Sequence, residues 1–418
     1  MSYFTIKGGN TLHGTIPVYG SKNAVLPAIT AALLTQEPIT LRNVPPILDV
    51  RRLLDIMHDL GVEAEQKGTT VTLQAKKVKT STVNNPNVSL LRGSILLLGA
   101  FLSRDGYAAL PRPGGDLIGA RPIDTHLDGF SQLGATISEK DGLVIVDGKN
   151  MKAGTVVLRE FSVTATENLL LACATLPGKT TIHIAATEPH VVFLCELLKK
   201  MGVKIFGAGT HTITIQGVKK LKGATATIPA DMLEAGSFIL MAAATQSEIT
   251  VENVPFDDLH LFFKKLDDIG IQYTLNEKEK SVTVHKSALK AFKMQSMPFP
   301  GIPTDLQAPF AVVASQANGS SLIHDPLYEG RMRHVLELQK MGASAVICDP
   351  HRVIITGPTP LYGQTIPSLD LRSGATLLIA GLVATGETTI QDADIIERGY
   401  FELAKRLRAL GADIEKHE

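Results

Sequence analysis

The stretch SFILMAAATQSEITVENVP (237–255) decides the fold. Its first half reads as a helix of small and apolar residues. Its second half alternates as a short strand and runs into proline. The same phrase stands at LPAITAALLTQEPITLRNVPP (26–46) and ENLLLACATLPGKTTIHIAATEP (167–189). The chain is therefore built from repeats.

Working outward, a second helix of each repeat ends in an apolar residue followed by glycine. Gly61, Gly134, Gly202, Gly270, Gly342 and Gly411 recur with a period of roughly 70 residues. Each reads as a helix cap in the left-handed conformation, where a Cβ would clash. Before Gly270, the residues Leu259, Phe262, Phe263, Leu266 and Ile269 share one face of an amphipathic helix. Two short strands follow each cap, as at 271–275 and 281–284, or 203–206 and 211–215. The unit is β-α-β-α-β-β and the class is α/β. The sixth unit stops at Ala412-Asp-Ile414 without a last strand, while YFTIKG (3–8) reads like the closing strands HTITIQG (211–217) and RVIITG (352–357). The N-terminus is expected to complete the last unit. That gives one domain at 22–229, containing the loop 112–124, and a second made of 1–21 plus 230–418, with a double hinge near 20–22 and 229–231.

Composition narrows the function by exclusion. The chain has 418 residues, with 41 Lys+Arg against 41 Asp+Glu, so no global field draws it to nucleic acid or to a membrane. Apolar runs fall short of the roughly 18 residues that a span requires, and the start MSYFTIKGGN has no basic leader. A cytoplasmic location is expected. Cys173, Cys195 and Cys348 lack metal-ligand or disulfide spacing, and the histidines lack His-Glu-x-x-His spacing. Neither a zinc site nor a disulfide framework is expected.

The loop RPGGDLIGARPID (112–124) places Asp116 between Arg112 and Arg121 among glycines that let a ligand approach the backbone. It follows an apolar helix expected at 94–102. When the repeats are superposed, other polar residues fall on two equivalent helix starts. One set is Lys22-Asn23, Arg92, Thr164 to Asn168, Asp231 with Glu234, Asp305 and Arg372; the other is Asp116 to Arg121, Glu188, Arg331 with Arg333, and Arg398. Equivalent helix starts point the same way, so their dipoles converge on an anion-binding face, and two such faces make a cleft. Its cations expect a multiply charged anion. Nucleotide motifs of the usual kinds are absent. Gly178-Lys179-Thr180 has Cys173 where a P-loop needs its first glycine, and Gly207-Ala-Gly209 opens onto a strand.

The ordered motifs GSKNAVLP (20–27), LRGSILLLGAFLSR (91–104), PGGDLIGARPIDTHLDGF (113–130), SVTATEN (162–168), GIPTDLQA (301–308), EGRMRHVLEL (329–338), LRSGAT (371–376) and RGYFELAKRLRALGADI (398–414) resemble the UDP-N-acetylglucosamine enolpyruvyl transferases nearly end to end. The resemblance implies two inverse α/β domains, each of three βαβαββ units. It implies transfer of the enolpyruvyl group of phosphoenolpyruvate to the 3-hydroxyl of UDP-N-acetylglucosamine, with release of phosphate and no metal or organic cofactor, in peptidoglycan precursor synthesis. The shikimate-phosphate enolpyruvyl transferases share that fold, and their acceptor is the second reading; a silent sugar-nucleotide sensor is the third.

Carried over motif by motif, the resemblance makes Asp116 the acid and Asp305 the base or hydroxyl anchor, with Lys22 as a further catalytic group. Lys22, Arg121 and Arg398 bind phosphate, and Arg331 and Arg372 bind the carboxylate. Asn23, Arg92, Arg121 and Asp305 face the sugar nucleotide, with Pro122, Ile123, Asp124 and Thr125 at the uracil and Ser162, Val163 and Thr164 at the diphosphate. Two residues depart from the family pattern: Asp116 replaces the usual loop cysteine, and Thr164 replaces a usual glycine. The first implies insensitivity to fosfomycin, the epoxide that alkylates that cysteine.

Overall fold

The computed structural model describes residues 2–115 and 118–418, so Asp116 lies outside the described residues. Contacts divide the chain into two units. One holds residues 2–19, 118–120 and 230–418; the other holds 20–115 and 121–229.

In each unit the helices without a polar face form the interior. All 13 residues of Met232–Ala244 are buried, and Leu371–Val383 is buried along nearly its whole length. In the other unit Leu96–Asp105 packs on Val163–Cys173 so closely that a Cβ on Gly99 would lie 2.2 Å from the Asn168 carbonyl oxygen. The glycine-capped helices are one-sided instead. His260–Ile269 buries Phe262, Leu266 and Ile269, while Lys264 and Lys265 on its outer side pair with Asp268. The six capping glycines have φ between +84° and +108°, where only glycine is free of strain.

Among the described residues five sheets have four strands and one has three, and most repeat a single order. In the first repeat Ile39–Arg42 is central, antiparallel to Thr70–Gln74 and parallel to Ala224–Thr227. Alternate side chains point inward, as with buried Ile249 and Val251 in Glu248–Glu252. The last sheet is completed from the other end of the chain: Tyr3–Lys7 lies antiparallel between Glu387–Gln391 and Asp413–His417. His13–Pro17 pairs in parallel with Glu248–Glu252. Each strand that precedes a domain crossing therefore finishes a sheet in the unit it is leaving.

Three boundaries differ from the sequence expectation. Gly20 and Ser21 belong with 22–229, because the Ser21 amide donates to the Pro229 carbonyl at 2.7 Å. Residues 118–120 of the loop belong instead with 230–418. There the Gly330 amide donates to the Ile118 carbonyl at 3.0 Å, and the Ala120 amide to Glu329 Oε1 at 2.7 Å. The helix expected at 94–102 begins as a 3-10 turn, Arg92–Ile95, and turns α-helical over Leu96–Asp105.

Candidate functional site

In the unit 20–229, Ser21 caps the helix Lys22–Ala31 by accepting from the Ala24 amide, and this puts Lys22 and Asn23 in its first turn. The Lys22 ammonium lies 2.6 Å from Asp49 Oδ2. Asp49 is buried, in the first turn of Leu48–Asp59, where the helix dipole favours a negative charge, and Arg52 stands 3.5 Å from its other oxygen.

Arg92 opens its 3-10 turn and donates to the Pro122 carbonyl at 3.0 Å. The loop backbone runs against the same arginine. At Gly115, with φ +120°, a Cβ would fall 2.8 Å from Arg92 Cβ and 3.4 Å from Arg121 Nη1. Beyond Arg121, exposed Pro122 and buried Ile123 lead into the helix Asp124–Gln132, and Thr125 donates to Glu160 at 3.0 Å. Ser162 caps the helix Val163–Cys173, placing Val163 and Thr164 in its first turn. Thr164 Oγ1 is 3.1 Å from His126 Nε2. His126 is buried, and burial first, then Arg92, lowers its pKa to about 3.

In the unit 230–418, Asp305 sits in the 3-10 turn Thr304–Leu306 between two arginines. Arg331 Nη2 donates to its Oδ1, and Arg372 Nε is 3.4 Å from its Oδ2. Arg331 also reaches to 3.8 Å from Asp370, the residue that caps Leu371–Val383 through the amides of Arg372 and Ser373. Arg372 donates to the Tyr400 hydroxyl at 3.1 Å and lies over its ring at 5.4 Å. Burial opposes the charge of Arg372, yet Tyr400, Asp305 and Asp231 outweigh it and raise its pKa; for Arg331 burial is likewise outweighed, by Asp305, Asp370 and Asp325.

Both guanidinium groups have a buried Nε with no hydrogen-bond partner. Enclosing such ions costs roughly several kcal/mol each, and well-packed apolar side chains would give an equally stable core. Two planar forks with donors to spare suit a ligand carrying carboxylate or phosphate oxygens.

Arg398 departs from its expected place at the start of the helix that ends at Gly411. That segment is broken into Ala393–Glu397 and Leu403–Ala409, and Arg398 caps the C-terminal end of the first piece. Glu402, with φ +43°, is the N-cap of the second piece. The predicted residues thus divide between the units: Asp305, Arg331 and Arg372 form one network with Arg398 in the same unit, while Lys22, Asn23, Arg92, 121–125 and 162–164 belong to the other.

Asp49, His126, Glu329, Asp370 and Tyr400 were missed by sequence reasoning. Asp370 alone left a readable signal, as an acidic residue directly before a helix that starts Leu-Arg-Ser. Among the described residues no three His, Cys, Asp or Glu side chains gather as metal ligands, and no helix is long and apolar enough to cross a membrane. Cys173 and Cys195 are buried, which pushes their thiols up to about 12.

The sequence profile of the EPSP synthase (3-phosphoshikimate 1-carboxyvinyltransferase) family matches residues 6–407. The chain belongs to the enolpyruvyl transferase family. Among its relatives, proteins named UDP-N-acetylglucosamine 1-carboxyvinyltransferase are 40% identical in Borrelia garinii, over 100% of this chain and 99% of the relative, and 41% identical in Halothermothrix orenii, over 100% of both. The enolpyruvyl transferase NikO from Streptomyces tendae superposes with a TM-score of 0.89 at 26% identity, covering 99% of this chain and 98% of its own. EPSP synthase from Acinetobacter baumannii, at 20% identity and a TM-score of 0.75 over 100% of both chains, shares the enolpyruvyl transferase fold.

Proposed function

We propose that this protein transfers the enolpyruvyl group of phosphoenolpyruvate to the 3-hydroxyl of UDP-N-acetylglucosamine and releases phosphate, a committed step of peptidoglycan precursor synthesis. The observation that carries the reading is the Arg331–Asp305–Arg372 network, in a chain whose full-length relatives bear that enzyme's name. The alkene carbon of phosphoenolpyruvate is a poor electrophile until its methylene is protonated, so an acid must act at the methylene while a base or anchor holds the hydroxyl. Asp305, oriented from both sides by guanidinium groups, is the hydroxyl partner. Arg331 and Arg372 take the carboxylate, and Lys22, Arg121 and Arg398 take the phosphate. Asn23 and Arg92 serve the sugar nucleotide, with 122–125 at the uracil and 162–164 at the diphosphate.

Addition joins the sugar oxygen to the central carbon and turns the methylene into a methyl group. The resulting ketal then loses phosphate and one methyl proton to restore the alkene. Asp116 is the acid or serves the elimination. A carboxylate is a weaker nucleophile than a thiolate and forms an ester open to hydrolysis, so fosfomycin should not inactivate the protein. Asp116→Cys should stay active and gain time-dependent inactivation with a covalent mass increase on residue 116; an active variant that stays resistant would contradict this role.

Phosphate release tests the acceptor. It should require phosphoenolpyruvate together with UDP-N-acetylglucosamine, and shikimate 3-phosphate should not replace the sugar nucleotide. Release with shikimate 3-phosphate alone would overturn the acceptor, and release with neither would overturn the enzyme reading.

A further inference from the structure

Thr164 replaces the glycine that the resemblance to the family leads one to expect, and its φ is not in the left-handed region, so nothing in its backbone calls for glycine. What it adds is a hydroxyl, and the surrounding hydrogen bonds fix which way that hydroxyl donates. The chain of reasoning starts at Asn168, fully buried one turn further along the same helix. Its Oδ1 accepts from the Gly99 amide at 2.8 Å, so the side chain amide cannot be flipped. Its Nδ2 then supplies one proton to the Ile95 carbonyl at 2.9 Å and the other to His126 Nδ1 at 2.9 Å. His126 Nδ1 is therefore an acceptor. Burial and Arg92 keep the ring neutral, with its pKa lowered to about 3, so its single proton sits on Nε2. That proton is given to Thr164 Oγ1, at 3.1 Å.

The hydroxyl of Thr164 is thus occupied as an acceptor and left with a proton to donate. Among the described residues it has no other hydrogen-bond partner. It stands in the first turn of an 11-residue helix, where backbone amides have no intrahelical acceptor and the dipole favours negative charge.

Resting on the sugar-nucleotide reading, we propose that the Thr164 hydroxyl is a hydrogen-bond donor to the diphosphate of the UDP-sugar, with His126 and Asn168 as positioning residues that fix the direction of its proton. A glycine would offer only backbone at this place. This chain adds a side-chain donor, so its affinity should depend more on the diphosphate than on the base.

Titration of UDP and of uridine into the full-length protein and into Thr164→Val, Thr164→Ser and Thr164→Gly tests the proposal. Valine keeps the shape and removes the donor. A lost hydrogen bond to a charged group predicts that UDP binds about tenfold or more weakly to Thr164→Val and Thr164→Gly. Thr164→Ser should bind UDP like the unmodified protein, and the affinity for uridine should be the same in all four. The positioning role has its own readout: in nitrogen-15 spectra His126 should be a neutral Nε2–H ring, and its Nε2 signal should move on adding UDP but not uridine. Equal UDP affinity in Thr164→Val and the unmodified protein would overturn the inference, as would an equal loss for uridine or a neutral Nδ1–H ring. Unmodified protein that binds neither UDP nor UDP-N-acetylglucosamine would instead overturn the sugar-nucleotide reading on which the inference rests.

Discussion

The Arg331–Asp305–Arg372 network and the Asn168–His126–Thr164 relay are polar networks at helix starts, one in each unit, and they are built from opposite materials. The first is made of full charges. It tolerates burial because each guanidinium meets carboxylates, and it keeps donors in reserve. The second is neutral throughout, and its three side chains pass a fixed hydrogen-bond direction from Gly99 to Thr164. A charged network selects ligands by charge and makes chemistry possible; a neutral one orients a single donor. Removing a piece of the first should therefore be far more costly than removing a piece of the second.

The largest effect is expected at Asp305→Asn, which keeps the shape of the side chain and loses its charge between Arg331 and Arg372. Turnover should fall about 10²–10⁴-fold, with KM for UDP-N-acetylglucosamine changed much less. A normal kcat would remove Asp305 from the chemistry. Arg372→Lys keeps charge but loses the planar fork over Tyr400, and KM for phosphoenolpyruvate should rise about tenfold or more while UDP affinity holds. An equal loss for both substrates would erase the division of labour between the networks.

Much of the architecture behind this comparison was legible because the backbone imposes it locally. A left-handed cap demands glycine, so Gly61 through Gly411 mark six helix ends, and the small and apolar residues 237–244 belong to a helix that is buried at every position. The similarity of 3–8 to 211–217 was enough to place the N-terminal strand in the last sheet. The site was legible as a set of cations but not as a set of pairs. Lys22 with Asp49, Arg372 with Tyr400 and Thr164 with His126 meet only because particular helices pack, and no spacing encodes that. The break at Arg398 was hidden for another reason. Glu402 takes a left-handed conformation without glycine, so nothing in the sequence marks the helix start at Leu403 instead of near Arg398.

Smaller effects sharpen the comparison. Gly99→Ala puts a Cβ 2.2 Å from the Asn168 carbonyl, with the Asn168 side-chain oxygen also close at 2.7 Å. Such overpacking should cost about 1–3 kcal/mol in denaturant unfolding and weaken UDP binding through the relay, while phosphoenolpyruvate affinity stays as it was. Acid acts on both units through buried histidines. His126 is lowered to about 3 and His334 to about 4, chiefly by burial, against about 6.5 in an unfolded chain. Between those values the unfolded state binds protons that the folded state refuses, so their contribution to stability is present above about pH 6.5 and is lost as the pH falls towards about 4. Glu167, raised by burial and Glu188, works in the other direction as the pH rises. His334→Phe should flatten the acid limb by at most about 1.4 kcal/mol per pH unit, and an unchanged slope would show that His334 does not resist protonation. Glu329→Gln, at an exposed side chain holding the Ala120 amide, should leave the unfolding midpoint in place and change turnover by a few-fold at most. A larger fall would mean that this contact belongs with the charged network.

The central claim, addition of the sugar oxygen to a protonated alkene followed by elimination of phosphate, is tested most directly in deuterated water. With phosphoenolpyruvate and UDP-N-acetylglucosamine, the protein should release one phosphate for each UDP-sugar that gains an enolpyruvyl group, and the methylene of that group should carry solvent deuterium, because the carbon passes through a methyl group before losing a proton. A UDP-sugar unchanged in mass, or an enolpyruvyl product free of deuterium, would contradict the account.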